Sequence, residues 1–266
     1  MSFYWLYNLS SLALCLLIVV SFVTICLSGL FVSRGWVKRL HKTDQSHNDI
    51  VGFYLAAITV FDAITLGLVA VGTWQTYTDA QLRVDHEAAA LGSLYRDARA
   101  YSEPLRGELQ GDLRLYYQEA VVVGWPLQRR GIVPNADSTA LNQFQDDFLQ
   151  FEPTTEGQKV NAAETYRAFN DLVESRRTRL NSVTAELPSP VWVMVVAGAI
   201  LSIAATWFFH APSFSMHLWL SLVYSVLIGL LIYLIVALDN PYRGRISVGP
   251  DPLVRVYEQT MMPDQK

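Results

Sequence analysis

Four stretches of this chain are long and apolar enough to cross a lipid bilayer, and few folds accommodate that. A helix needs about 20 predominantly apolar residues to span the hydrocarbon core. Residues 9–32, 50–74, 191–209 and 218–238 meet the requirement, and none of the four contains a Lys or Arg. The first is expected to remain rather than be cleaved as a leader. It lacks a basic start, is too long for a leader's apolar core and offers no small-residue cleavage site. Trp5, Trp36, Trp74, Trp192, Trp207 and Trp219 fall at or near the ends of these stretches, where interfacial aromatic belts form.

Only 17% of the residues are charged, against about 25% in soluble domains. The deficit is uneven, with charge nearly absent from the four stretches and dense between the second and third, as in a membrane protein with an extramembrane domain. A net charge of −4 argues against a nucleic-acid partner, which calls for a basic face. Cys15 and Cys26 share the first stretch, too far apart along one helix to bridge, and two thiols make a poor metal site. They read as small apolar packing residues.

The region between the second and third stretches reads as helix nearly throughout. Leu91, Leu94, Tyr95, Ala98 and Tyr101 recur at three-and-four spacing, as do Leu105, Leu109, Leu113, Tyr116 and Ala120 after a start marked by Ser102 and Pro104. "GWP" at 124–126 and "RRGIVPNADS" at 129–138 are expected to break the pattern. A short helix bearing Leu141, Phe144 and Phe148 follows, then a long one bearing Val160, Tyr166, Phe169, Leu172, Val173, Leu180 and Val183. Residues 76–187 hold 17 Asp and Glu against 12 Lys and Arg, the composition of a solvated acidic surface. The expected fold class is all-α: four transmembrane helices with an extramembrane helical bundle inserted between the second and third. The expected divisions are 1–75 for the first helix pair with its basic loop, 76–187 for the bundle, 188–240 for the second pair, and 241–266 for a tail.

Arg34, Lys38, Arg39 and Lys42 crowd the loop between the first two stretches, while no charged side chain precedes the first. The positive-inside rule places that loop in the cytoplasm and the bundle outside, against a smaller opposing count from Arg176, Arg177, Arg179, Arg243 and Arg245. No catalytic constellation emerges. His86 lacks a second His at zinc-protease spacing, His41 and His47 lack a ligand cluster, and there is no phosphate loop or nucleophile elbow. The chain is not expected to be an enzyme or to hold a metal or cofactor.

Asp62, in "AAITVFDAITLG", sits at the centre of the second stretch. A carboxyl group at mid-membrane costs roughly 2.5–3.5 kcal/mol on insertion scales, and an unpaired carboxylate in such surroundings takes up a proton instead. Three arrangements remain. The acid is protonated and bonded to a neighbour such as Tyr224, Tyr233, Ser202, Thr206 or Thr24; it faces a hydrated cavity or pore; or it binds a cation. Thr59 and Thr65 lie three residues to either side, and Thr73 returns to nearly the same face, so Thr59, Asp62, Thr65 and Thr73 are the candidate pore or ion-site residues. Ala56, Ala57, Ala63, Gly67, Ala70 and Gly72 offer small surfaces for close helix approach.

Several fragments together resemble the bestrophin-like family of bacterial four-pass membrane proteins: "HNDIVGF" at 47–53, "EAAALGSLYRDAR" at 87–99, "GWP", and the closing "LDNPYRG" at 238–244 followed by "ISVGPDP". The motif residues are His47, Asn48 and Asp49 at the start of the second stretch, and Asp239, Asn240, Pro241, Arg243 and Gly244 after the fourth. Physically, Asp239 and Asn240 satisfy backbone groups at a helix end and Pro241 stops the helix. Arg243 is expected either to reach lipid phosphates or to help dock the bundle.

The resemblance implies a bacterial inner-membrane protein with four spans and a helical domain. By a looser analogy, bestrophins are pentameric anion channels whose second span lines the pore, which would make the face bearing Thr59, Asp62 and Thr65 pore-lining. A ring of carboxylates repels chloride, so an anion pore requires Asp62 protonated or turned away. Two functional expectations stand together. One is an oligomeric ion channel in the lipid bilayer, a homo-oligomer with a pentamer as the implied ring and ions as its partners. The other is a membrane-anchored sensor or scaffold whose bundle binds a partner.

Overall fold

The computed structural model describes residues 4–40, 46–134, 137–209 and 213–262, with the side chains of 4–5, 38–40 and 46–48 excepted. Lys38, Arg39, His41, Lys42 and Trp5 therefore lie outside the described residues. Among those described the chain is all-α, and four of its helices are long and apolar enough to cross a membrane: Ser11–Val37, Asp49–Ala100, Ser189–Trp207 and Phe214–Asp239. It divides into two compact units, each with its own core.

The first unit contains Met1–Gln75, Glu186–Asp239 and Gly244–Ile246. Its helices are α1 (Ser11–Leu40), the first half of α2 (Ser46–Asp97), α7 (Ser189–Trp207) and α8 (Phe214–Asp239). Leu14, Ile18, Phe22 and Cys26 form one stripe of α1 at four-residue spacing, and they meet Val195, Ala199 and Ile203 of α7 and Ile228, Ile232 and Ile235 of α8. From α2, Leu66 alone is fully buried in this core, with Val69 and Ala70 beside it. Close approaches occur at glycines other than those the sequence singles out. A Cβ on Gly229 would lie 2.9 Å from Val19 Cα, and one on Gly29 would overlap the Trp207 indole, whereas one on Gly67 would meet nothing within 4 Å. Trp36, Trp74 and Trp219 are exposed at span ends. Trp207 instead turns inward and donates its Nε1–H to Cys26 O at 3.0 Å.

The second unit contains Thr76–Ala185, Asn240–Arg243 and Ser247–Lys266. Here the stripes read from the sequence become the core: Leu91, Leu94, Tyr95, Ala98, Leu109, Leu113, Tyr116, Phe144 and Leu172 are buried together. Ser138 caps α5 (Thr139–Leu149) by accepting from Leu141 N, and Thr155 with Gln158 makes a capping box at α6 (Glu156–Asn181). Val160, Tyr166 and Val173, expected on the inner stripe of α6, are exposed, because the inward face of that helix is the one bearing Thr165, Phe169, Leu172 and Arg179.

Two other segments differ from expectation. "GWP" does not interrupt the helix. The chain runs from α3 (Leu105–Gln118) through a π-helical stretch, Glu119–Gly124, into α4 (Trp125–Arg129). Pro126, which has no N–H to give, directly follows the π-helical stretch. After the fourth span, α9 (Asp251–Val256) and the π-helical Tyr257–Met261 bury Leu253 and Met261 in the core of this unit.

Asp112 on α3 is 4% exposed, lies beside Asp147 of α5 with Glu108 one turn earlier, and leaves Oδ2 unpaired. Burial first, and then the Asp147 and Glu108 charges, push its carboxyl up to about 7. The folded chain thus holds a proton that the unfolded chain loses near pH 4. This group's stabilisation is fully present below the unfolded value and is lost as pH rises through the folded one. Thermal unfolding of the full chain in detergent should show a midpoint that falls across this window, and Asp112→Asn should raise the midpoint at about pH 8 and flatten the dependence.

Candidate functional site

At 3.6 residues per turn, Leu55, Asp62, Leu66, Val69 and Thr73 fall on one face of α2. That face turns toward the rest of the first unit: Asp62 is 7% exposed, and Leu66 and Thr73 are buried. Asp62 Oδ1 sits 2.7 Å from where a Cβ of Gly198 would be, so the carboxyl occupies the space of a missing side chain on α7. Ser202, one turn further along α7, lies beside both the Asp62 carboxyl and the Tyr224 hydroxyl of α8. Its Oγ is fully buried and makes no hydrogen bond of ordinary geometry.

The three threonines spend their hydroxyls on their own helix. Thr59 Oγ1 donates to Leu55 O at 2.8 Å, Thr65 to Phe61 O at 2.9 Å, and Thr73 to Ala70 O at 2.9 Å. Asp62 and Thr73 share the buried face, while Thr59 and Thr65 flank it half-buried. The four do not converge on one lining. The opposite face of α2 carries Phe53, Val60, Phe61, Ile64, Leu68 and Val71, all exposed, with Phe61 at 79%.

Of the motif residues at the start of α2, the His47 and Asn48 side chains lie outside the described residues, and Asp49 is exposed in the first turn. The closing motif is built in detail. Asp239 Oδ1 accepts the Leu187 N–H at 2.7 Å and Oδ2 accepts Trp192 Nε1–H at 3.3 Å, tying the end of α8 to the start of α7. Asn240–Arg243 is a β-turn closed by Arg243 N–H on Asn240 O at 3.0 Å, with Asn first and Pro241 second. Gly244 has φ +82, where a Cβ would be strained. Arg243 does not extend to a lipid headgroup. It is 8% exposed and donates to Arg130 O at 2.8 Å, because Gly131, at φ +70 and without a side chain, leaves room for its guanidinium.

The sequence reading missed a buried ion pair in the second unit. Glu87 of α2 and Arg179 of α6 are both 0% exposed. Arg179 Nη2 donates to Glu87 Oε1 at 2.9 Å, Nε donates to Oε2, and Nη1 donates to Gln128 Oε1 at 2.8 Å. Tyr116 Oη–H completes the carboxylate at 2.5 Å, and the Trp125 ring lies 5.0 Å from the guanidinium carbon. Burial, with the Glu87 charge, raises the Tyr116 hydroxyl above its ordinary range. Burial works against the charge on Arg179, but the Glu87 carboxylate outweighs it and holds the guanidinium above its usual value. The signal was present as a charge in an apolar register, with Glu87 between Val84 and Leu91 and Arg179 between Leu172 and Val183.

Arg179→Met alone strands the Glu87 carboxylate and should cost about 3–5 kcal/mol. Adding Glu87→Leu should return most of that loss, as read by thermal unfolding of the three variants. Among the described residues no group of three or more His, Cys, Asp and Glu is placed to hold a metal.

The model of the Bestrophin-like domain family matches residues 20–253. No curated protein matches the chain in sequence. Among solved structures, the fold resembles crystal structures of singly substituted forms of a bacterial bestrophin homologue from Klebsiella pneumoniae. One has a TM-score of 0.71 at 12% identity, covering 94% of this chain and 98% of that one. A second has a TM-score of 0.72 at 13% identity, with 93% and 99% covered. A third has 0.71 at 13%, with 96% and 97% covered. At such identity these likenesses speak for the fold, a multi-pass helical membrane protein. Because the family match spans most of its length, the chain belongs to the Bestrophin-like domain family.

Proposed function

We propose that this protein is an oligomeric ion channel of the bacterial inner membrane, built from copies of the chain with α2 nearest the shared axis. The observation that carries the reading is how little of α2 its own chain covers. Helices α1, α7 and α8 pack on one another, whereas α2 joins them along a seam of Asp62, Leu66, Val69 and Ala70. An apolar stripe that includes Phe61 is left outward, with Gly67 open to a neighbouring backbone. A ring of such stripes is an apolar constriction, which gates ions by dewetting. On this reading Asp62 points off the axis, so a permeating anion meets no ring of carboxylates. The pentamer of the bestrophin analogy is the proposed assembly. The charge count supports a cytoplasmic α1–α2 loop and a periplasmic bundle.

A second reading, a sensor or scaffold, is favoured by a groove of about 560 Å³ on the second unit. It is lined by Leu115, Val122, Val123 and Tyr257, beside the π-helical stretch.

Crosslinking of the protein in nanodiscs should trap a closed ring, and reconstituted vesicles should pass ions. Phe61→Ala should raise that flux several-fold by widening the constriction. A monomer silent in flux assays defeats the channel, and loss of partner capture on Val122→Glu in such a monomer would speak for the scaffold. In a variant with Cys15 and Cys26 replaced, Gly157→Cys should react with an impermeant thiol reagent applied from the periplasmic side.

A further inference from the structure

Asp62 is the one acidic residue in the four apolar stretches, and none of them holds a base. Around it the first unit gathers polar side chains from three helices. Ser202 of α7 stands beside the carboxyl, and Tyr224 of α8 stands beside Ser202. Tyr224 is also close to Cys26 of α1, whose thiol adjoins Ser225 of α8 and Thr206 of α7. Cys26, Ser202 and Ser225 are 0% exposed. The series advances along α7 by whole turns, from Gly198 to Ser202 to Thr206, and ends where His217 Nε2 lies 3.1 Å from Thr206 O. That end of the unit also holds Arg34 over the Phe214 ring at 3.9 Å and Trp36 against Phe208. It is the end that carries the α1–α2 loop.

We propose that Asp62, Ser202 and Tyr224 form a proton-binding site within the membrane. Charge balance is the first reason: with no basic residue in the apolar stretches, the carboxylate has no counter-ion, and one proton per subunit converts it to the neutral acid. Geometry is the second. A neutral acid has an O–H to donate, and the buried Ser202 Oγ, which lacks a partner of ordinary geometry, is an acceptor beside it. Tyr224 adds a second hydroxyl beside Ser202, whereas Ser225, Thr206 and the Cys26 thiol donate to Leu222 O, Ile203 O and Ser221 O and leave the proton site to Asp62, Ser202 and Tyr224. Among the described residues, the titratable groups facing the site are Tyr224 from α8 and Cys26 from α1; α7 brings hydroxyls only.

The site couples to position. Losing the proton leaves a bare charge against the Gly198 backbone, which favours parting α2 from α7. The inference goes beyond the channel reading and stands whatever passes along the axis of an assembly.

Infrared spectroscopy of the full chain in lipid nanodiscs tests it. In an Asp112→Asn background, which removes the other acid that keeps its proton up to about pH 7, the carbonyl stretch of a protonated carboxylic acid should be present near neutral pH and missing once Asp62→Asn is added. Ser202→Ala and Tyr224→Phe should each shift that band, and Thr206→Val, which removes a hydroxyl spent on Ile203 O, should leave it in place. If Asp62→Asn does not fold, Asp62→Glu should keep the band at a displaced frequency. If Asp62→Asn, or a shift seen on Asp62→Glu, instead affects an ionised carboxylate band, the proposal is overturned. It is overturned equally if the acid band appears only when sodium is withdrawn, since the occupant is then a metal cation.

Discussion

Hydrocarbon offers no hydrogen-bond partner, and the membrane unit is arranged around that constraint. Every polar group in a span must be satisfied by the chain or left at a cost of several kcal/mol. Ser21, Thr24, Thr59, Thr65 and Thr73 meet the demand locally by donating to carbonyls three or four residues back. Such residues add no long-range contact and leave the helix surface effectively apolar. Asp62 cannot do this, because a carboxyl has at most one proton to give and keeps acceptor oxygens that the N–H groups of its own helix, already engaged, do not serve. It has to lie against another helix, and Gly198 is the place where α7 leaves room. The orientation of α2 follows: with Asp62 inward, the Phe61 face has nowhere to go but outward.

The second unit answers the opposite problem. Rich in charged residues, it buries its apolar stripes with aromatic side chains stacked between helices, as in Phe144 against Phe169 with ring centroids 5.3 Å apart. Yet it also buries a complete ion pair. The bidentate Glu87–Arg179 pair, with Tyr116 and Gln128 filling further positions, contributes little net stability against an apolar equivalent. It does fix register. A helix α6 shifted by one residue would leave a naked guanidinium in the core, so the arrangement penalises misalignment between α2 and α6 more than hydrophobic contacts would.

Much of this fold was legible in the sequence because periodicity and hydrophobicity are local signals. Leu91, Leu94 and Tyr95 announce a buried face by spacing alone, and four apolar stretches announce four spans. The neighbours of Asp62 were legible as types, since Ser202 and Tyr224 are among the few polar side chains in the other spans, but which of them approached could not be read without the packing. What escaped was relational. Arg179 looked like one of a run of surface bases, because nothing nearby in sequence says that Glu87, 92 residues away, waits for it. Gly198 and Gly29 looked no different from Gly67, since a glycine's use depends on what lies opposite. Arg243 read as either a lipid anchor or a docking residue from its position just past a span, and its buried seat depends on the room left by the left-handed backbone at Gly131. Gly-Trp-Pro read as a break because a π-helical turn, which absorbs an extra residue without ending the helix, has no simple composition signature.

The placement of α9 and the turns after it has a consequence for biosynthesis. Leu253 and Met261 belong to the same core as Val84 and Leu91, although two further spans are translated between them. During synthesis the earlier helices of this unit leave the ribosome with one wall of their core missing. The wall arrives after α8 has been made, so closure of the domain and insertion of the last span are timed together. A chain stalled before that point would present an open apolar cleft to chaperones and proteases, which gives the cell a way to recognise incomplete copies.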